Sequence, residues 1–154
     1  MNTLLLSAGI GRRLGYLTND KPKCLIKIGD QPLIDIWIAK TLQLNVNQIF
    51  INTHYKARQI SQHLSITKKK NIKILYEKNL LGTAGTVLHN IDLFLNEDLL
   101  LIHTDNYTNF NLKALQKSHN LRPSSCDVTM LIFKTDKPSE LINFLLILAL
   151  INLY

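Results

Sequence analysis

Short apolar runs recur along the chain, separated by stretches of helical spacing, and this alternation limits the fold more than any other feature. Thr3 to Ser7 is the first run, bounded by Ala8-Gly9, and it reads as a buried strand. Val46 to Thr53 (VNQIFINT), Ile72 to Tyr76, Asp98 to His103 (DLLLIH) and Asp127 to Lys134 read as four more. Cys24 to Ile28 is a short extended piece that ends at Gly29-Asp30. Pro32 then suits the first turn of a helix, whose apolar side is Leu33, Ile34, Ile36, Trp37, Ile38 and Leu42. Further helices are expected over Lys56 to Leu64, Gly82 to Phe94 and Asn111 to His119. In the second of these, Val87, Leu88, Ile91 and Leu95 would share one side. DLLLIH is the near-continuous apolar run of a strand buried on both faces of a parallel sheet. Strands alternating with helices predict an α/β chain with a mostly parallel sheet and right-handed crossovers. The 154 residues fit one domain.

In such sheets ligands sit beyond the carboxyl ends of the strands. Two chemically loaded segments fall there. The glycine-rich stretch SAGIGRRLG follows the first strand, and Asp105 follows the fourth. The long loop expected from Ala8 to about Lys23 carries Arg12, Arg13, Lys21 and Lys23. Glycines let backbone N–H groups approach phosphate oxygens closely. An arginine grips phosphate with its planar fork, and a lysine acts as a point charge. A magnesium ion needs a carboxylate, and Asp105 supplies one.

Other phosphate loops fit less well. A dinucleotide turn wants G-x-G-x-x-G, but Leu14 stands at the third glycine position, and Thr18 to Pro22 continues a loop where a helix should begin. The second strand ends Asn52-Thr53-His54, with no acid for a ribose. A Walker loop needs G-x-x-x-x-G-K-[ST], which Gly9 to Gly15 does not supply.

The net charge of +7, from 18 basic and 11 acidic residues, favours an anionic partner. Nucleic acid is not expected, because no aromatic residues interleave with the basic ones. Lys68-Lys69-Lys70 reads as a solvated turn. Cys24 and Cys126 form no framework and no CxxC pair, which suggests a reducing, cytoplasmic setting. The five histidines have no metal-ligand spacing with a cysteine. Met1-Asn2-Thr3 lacks the basic start of a signal peptide.

The order of these segments carries a resemblance. Gly9-Ile10-Gly11-Arg12-Arg13-Leu14, Leu17-Thr18, Pro22-Lys23-Cys24-Leu25 and Pro32-Leu33-Ile34 follow one another. Leu81-Gly82-Thr83-Ala84-Gly85 and His103-Thr104-Asp105-Asn106 come after them. Together they resemble the landmarks of the sugar-nucleotide nucleotidylyltransferases, with a lean toward mannose-1-phosphate guanylyltransferases. The resemblance implies a Rossmann-like three-layer α/β/α sandwich, incomplete at the C-terminus. It implies the reaction NTP + sugar-1-phosphate → NDP-sugar + pyrophosphate, with Mg2+ as cofactor. On that pattern Ser7, Ala8, Gly9 and Gly11 hold the nucleotide. Arg13 stabilises the leaving pyrophosphate, and Lys23 bridges the α-phosphate and the incoming sugar phosphate. Asp105 ligates magnesium. Leu81, Gly82 and Thr83 meet the base, and Glu77 to Leu81 closes the base pocket.

The chain also departs from that pattern. Cys24 stands where the family often has proline, and His103 where many relatives carry a small residue. The resemblance covers Met1 to about Ser139, which is expected to be a nucleotidyltransferase N-terminal domain. Residues 140–154 form an apolar tail, of which Leu141 to Tyr154 (LINFLLILALINLY) has no polar face. Its length is too short for a bilayer span, which takes about 20 residues. It is expected to be a buried terminal segment, a surface for membranes or for association into a homo-oligomer, or an abnormal chain end. The family's sugar-contacting region and second metal-binding aspartate have no counterpart, which suggests a truncated or frame-shifted chain. Three alternatives stay open: a non-catalytic nucleotide-binding remnant or subunit, a phosphocholine cytidylyltransferase-like enzyme, and an NADP-dependent oxidoreductase.

Overall fold

A computed structural model describes residues 1–67, 71–132 and 148–153. Strand β1 (Asn2–Leu6) lies at the centre of a six-stranded sheet. It pairs in parallel with β4 (Ile49–Thr53) on one side and with β6 (Glu97–His103) on the other. β5 (Ile72–Tyr76) extends the parallel set beyond β4. Beyond β6 the sheet turns antiparallel, through β8 (Leu148–Leu153) and then β7 (Val128–Leu131), giving the order β5-β4-β1-β6-β8-β7. A small antiparallel pair, β2 (Lys27–Ile28) with β3 (Gln31–Pro32), precedes the first helix.

The two-residue period of the strands divides the core between the two faces. Leu5, Ile49, Ile51, Leu100 and Ile102 pack with α1 (Leu33–Thr41), α2 (Ala57–Thr67) and α4 (Leu112–Asn120). Leu4, Phe50, Leu99 and Leu101 point the other way, toward Phe94 and Val87 of the α3 (Gly82–His89) region. Phe50 and Phe94 meet edge to face, with ring centroids 5.2 Å apart. Helices thus cover both faces of a mostly parallel sheet, a Rossmann-like layering. No helix of the described residues is long and apolar enough to cross a membrane.

Two expectations need correction. The stretch read as open loop after Gly11 contains a 3-10 helix, Arg12–Thr18, kinked at Gly15. Its start is fixed by Gly11, which has φ +75° and where a Cβ would meet Thr18 Cγ2 at 2.8 Å. The Thr18 hydroxyl closes the turn by donating to the carbonyls of Gly11 and Gly15. Second, the helix expected over Gly82 to Phe94 stops at His89, and a short 3-10 turn, Ile91–Leu93, comes after it. After the break Phe94 is fully buried and Leu95 exposed, and within α3 Leu88 is already exposed, so the expected shared apolar side does not form. Of the apolar tail, for which a buried terminal segment is one of the expected forms, the structure describes Leu148–Leu153. It is a strand within the sheet, paired on both sides. Ala149, which pairs with Leu101 and Met130, is buried there.

The end of the strand expected to reach Lys134, the boundary at 139/140 and the lysine turn at 68–70 lie outside the described residues. His119 ties the antiparallel edge to α4. It is buried, with Nδ1 against the Thr129 hydroxyl at 2.9 Å and Nε2 against Asp98 at 3.4 Å. On the opposite face, Val128, Met130 and Ile132 are exposed.

Candidate functional site

The carboxyl ends of β1, β4 and β6 open onto a cleft of about 200 Å³. Ser7, Ala8 and Gly9 line it after β1, and Thr104 and Asp105 after β6. Gly82 and Thr83, at the start of α3, face them. Lys23 enters from a short 3-10 turn, Lys23–Leu25, whose preceding residue Pro22 is extended. The next residue, Cys24, is buried in the core beneath the sheet, so Lys23 is held at the cleft wall. Burial pushes the Cys24 thiol up to about 12, and it is therefore neutral at physiological pH.

The structure brings Lys23 and Asp105 together although 82 positions separate them. The ammonium donates to Asp105 Oδ2 at 2.5 Å, and both side chains are only partly buried. Asp105 is located by its neighbours. Thr104 donates from both its backbone N–H and its hydroxyl to the Leu6 carbonyl. The Trp37 indole N–H, on α1, donates to the Asn106 carbonyl at 2.8 Å. Lys40 of α1 binds the Thr108 and Phe110 carbonyls, and its burial pushes its pKa down. The loop after β6 is thus strapped to β1 and α1 on either side of Asp105. His103, next to it, is also pushed down, chiefly by burial, with Asp105 opposing and Lys23 reinforcing the shift.

The residues expected at the first loop differ in what they offer a ligand. The Ser7 N–H is spent inside the protein on Asn52 Oδ1 at 2.6 Å, and its hydroxyl pairs with the Thr104 hydroxyl at 3.1 Å. The Ala8 and Gly9 amides have no partner among the described residues, and a Cβ added at Gly9 would meet open space. Gly11 does not line the cleft; it shapes the turn against Thr18. Arg12 and Arg13 open the 3-10 helix, and their side chains lie outside the described part of the structure.

The opposite wall starts α3 at Gly82, whose φ is +73°. Leu81 borders the cleft rather than lining it, and its N–H is taken by Glu77 Oε2 at 3.2 Å. The first-turn amides of α3, at Gly82 and Thr83, have no intrahelical acceptor and face the cleft. Free N–H groups on both walls, with a cation and a carboxylate between them, suit an extended anion that requires charge neutralisation.

Sequence reasoning gave no role to Asn52 or Thr86 and named Glu77 only as the start of the segment closing the base pocket, so it missed the network that joins the walls. Asn52, Glu77 and Thr86 are all buried. Asn52 Nδ2 donates to Glu77 Oε1 at 2.8 Å and to the Thr86 hydroxyl at 3.1 Å. The Thr86 hydroxyl donates to Glu77 Oε1 at 2.5 Å. A usable signal existed: Asn52 is a polar side chain inside the apolar run IFINT, and Glu77 directly follows another apolar strand. Buried polar groups require partners.

Comparison with known proteins identifies the family and the fold. The family model described as nucleotidyl transferase matches residues 2–141. The chain is 31% identical over 147 residues to a mannose-1-phosphate guanylyltransferase catalytic subunit beta of Dictyostelium discoideum, covering 91% of this chain and 40% of that protein. A protein of Bacillus anthracis described as a glucose-1-phosphate thymidylyltransferase superposes with a TM-score of 0.78 at 20% identity, covering 90% of this chain and 56% of the other. HddC of Yersinia pseudotuberculosis, in complex with GMP-PN, gives a TM-score of 0.70 at 21% identity, covering 84% and 56%. The chain therefore spans about two fifths to just over half of the length of these relatives. The fold is that of the nucleotide-diphospho-sugar transferases, and the chain belongs to the nucleotidyl transferase family.

Proposed function

We propose that this chain carries the nucleotide half of a sugar-1-phosphate nucleotidyltransferase. The nearest reading is a mannose-1-phosphate guanylyltransferase-like reaction that gives an NDP-sugar and pyrophosphate. The observation that carries the reading is the Lys23–Asp105 pair, set between two walls of free backbone N–H groups at the ends of parallel strands. The similarity to the Dictyostelium guanylyltransferase subunit supports the choice of sugar and base. Small-molecule sites usually run from about 300 Å³ upward, so a cleft of about 200 Å³ suits part of a two-substrate site. Two free cysteines accord with a cytoplasmic setting.

In this reaction a phosphate oxygen of the sugar-1-phosphate attacks the α-phosphorus of the triphosphate. A new P–O bond forms as the bond to the β-phosphate oxygen breaks, and pyrophosphate departs with that electron pair. No protein nucleophile is required, so positioning and charge neutralisation carry the catalysis. The Ala8 and Gly9 amides hold phosphate oxygens, and the α3 start receives the base. The Lys23 ammonium leaves Asp105 for the α-phosphate and the incoming sugar phosphate. Arg13 steadies the departing pyrophosphate. Asp105 is the residue for Mg2+. Its carboxylate already seats a cation, the Lys23 ammonium, at 2.5 Å. A magnesium ion is commonly held by one or two carboxylates with substrate phosphates and water completing its shell. When bound, the ion supplies neutralisation of phosphate charge.

The test has two stages. Calorimetric titration with GTP, UTP, dTTP, CTP and ATP in the presence of Mg2+ is expected to show selective binding of one triphosphate. Pyrophosphate release is then measured with that triphosphate and mannose-1-phosphate or glucose-1-phosphate. Selective binding without pyrophosphate release would reduce the protein to a nucleotide-binding subunit. Binding of NADPH and of no triphosphate would overturn the reading.

A further inference from the structure

The two walls of the cleft come from loops far apart in the chain, yet one buried side chain touches both. Asn52, at the penultimate position of β4, accepts the Ser7 N–H through Oδ1 at 2.6 Å. Through Nδ2 it donates to Glu77 Oε1 at 2.8 Å. Glu77 in turn holds the entrance of α3. Its Oε2 accepts the Leu81 N–H, and its Oε1 accepts the Thr86 hydroxyl, which also donates to the Gly82 carbonyl. The three joining side chains are buried, with Asn52 at 3% exposure, Glu77 at 4% and Thr86 at 0%. Only an amide satisfies both contacts of Asn52, because one end must accept and the other must donate. A network of this kind in a low-dielectric interior fixes the geometry of the groups it joins.

We infer that Asn52, acting through Ser7 and Glu77, is a positioning residue. It sets the spacing between the phosphate-holding loop and the base-holding start of α3, so that the two ends of one nucleoside triphosphate are bound together. This deepens the nucleotide reading above and rests on it. Asn52 takes no part in bond making. Its effect is to make the base and the triphosphate bind as one ligand rather than as two weakly coupled fragments.

The experiment compares two probes: the tightest-binding of the five nucleoside triphosphates, and inorganic tripolyphosphate, which lacks the base. Both are titrated calorimetrically with Mg2+. Asn52→Asp keeps the acceptor for Ser7 but sets a carboxylate against Glu77 in place of a donor. It is expected to weaken the nucleoside triphosphate by about ten-fold, the scale of one lost hydrogen bond to a charged group. Tripolyphosphate is expected to stay within about two-fold. Adding Glu77→Gln to Asn52→Asp restores a donor facing an acceptor, because the introduced amide donates to the new carboxylate and still accepts the Leu81 N–H. This double variant is expected to regain most of the lost affinity. Thr86→Val removes one hydroxyl only, and it provides a milder probe should Asn52→Asp unfold, as judged by circular dichroism. Its expected loss runs in the same direction and is smaller.

Equal weakening of both probes with no rescue would make Asn52 a general structural support and overturn the inference. Unchanged binding in the folded variants would also overturn it. A wild-type protein that binds tripolyphosphate but no nucleoside triphosphate more tightly would sink the coupling alone. One that binds neither would remove the nucleotide reading, and the coupling with it.

Discussion

The two walls of the cleft are built on different physics. The phosphate wall is loosely held on its inner side: the Ala8 and Gly9 amides have no described partner, and the Lys23–Asp105 pair is partly exposed. The base wall is braced from below by a buried carboxylate, an amide and a hydroxyl that satisfy one another. Each wall keeps some amides for a ligand and spends others on its own shape, but only the second is braced by a buried carboxylate. On the proposed function, one wall grips a flexible triphosphate chain and the other recognises a rigid base, which is a division of labour that this difference would serve. Charge on the first wall works at a distance, whereas recognition on the second depends on spacing.

The comparison predicts opposite outcomes for substitutions on the two walls. Lys23→Ala is expected to lower turnover by at least about 100-fold while moving the melting temperature little, since the ion pair is partly solvated. Pyrophosphate release and thermal melting measure the two effects, and a large loss of stability would erase the distinction. Glu77→Leu is expected to do the reverse. It leaves the Leu81 N–H and one Asn52 Nδ2 hydrogen without their acceptor, while the Thr86 hydroxyl keeps the Gly82 carbonyl, at a cost of about 3 kcal/mol in denaturant unfolding.

A pair of glycine substitutions refines the contrast. Gly11→Ala combines φ +75° with a Cβ contact of 2.8 Å to Thr18 Cγ2, and about 2–3 kcal/mol of destabilisation is expected. Gly82→Ala has φ +73° but open space around the added Cβ, so about 1 kcal/mol is expected. Equal costs would mean that the close packing at Gly11 carries no weight.

The smallest effect concerns the thiols. Cys24 is buried and its thiol is pushed up to about 12, whereas Cys126 is exposed. Since the thiolate is the reactive form, a thiol reagent at neutral pH is expected to modify Cys126 alone, with Cys24 reacting only after denaturation. The folded pKa lies above the ordinary value of 9.0. Burial of Cys24 therefore favours folding fully below that value, and the benefit declines as pH rises from about 9 toward 12. Rapid native labelling of both cysteines would show that the wall carrying Lys23 opens to solvent.

Much of the phosphate wall was legible in the sequence. A strand can be read from four or five apolar residues, and the residues at its carboxyl end are read from the next few positions. Gly9 and Asp105 could be placed at the cleft edge in this way because each lies just beyond the end of a strand, whereas Lys23, on a 3-10 turn, was singled out by its charge and by the resemblance. The corrections have one cause in common. The 3-10 turn after Gly11 is closed by Thr18, and the break at Asn90 puts Phe94 against Phe50, 44 positions away. Such contacts leave little trace in a short window of sequence.

The sequence by itself determined the alternation of strands and helices, the α/β class, the segments at the sheet's binding edge and the resemblance to nucleotidyltransferases. All of these arise from side-chain period and local turn chemistry. The tertiary structure alone decided which partners the buried polar groups take. It paired Lys23 with Asp105, joined Asn52 to Ser7 across 45 positions and to Glu77 across 25, and inserted Leu148–Leu153 between β6 and β7. The physical reason is that an apolar residue needs only to be buried, anywhere on the right face. A buried amide or carboxylate needs a particular partner at hydrogen-bond distance, and only the folded chain specifies it.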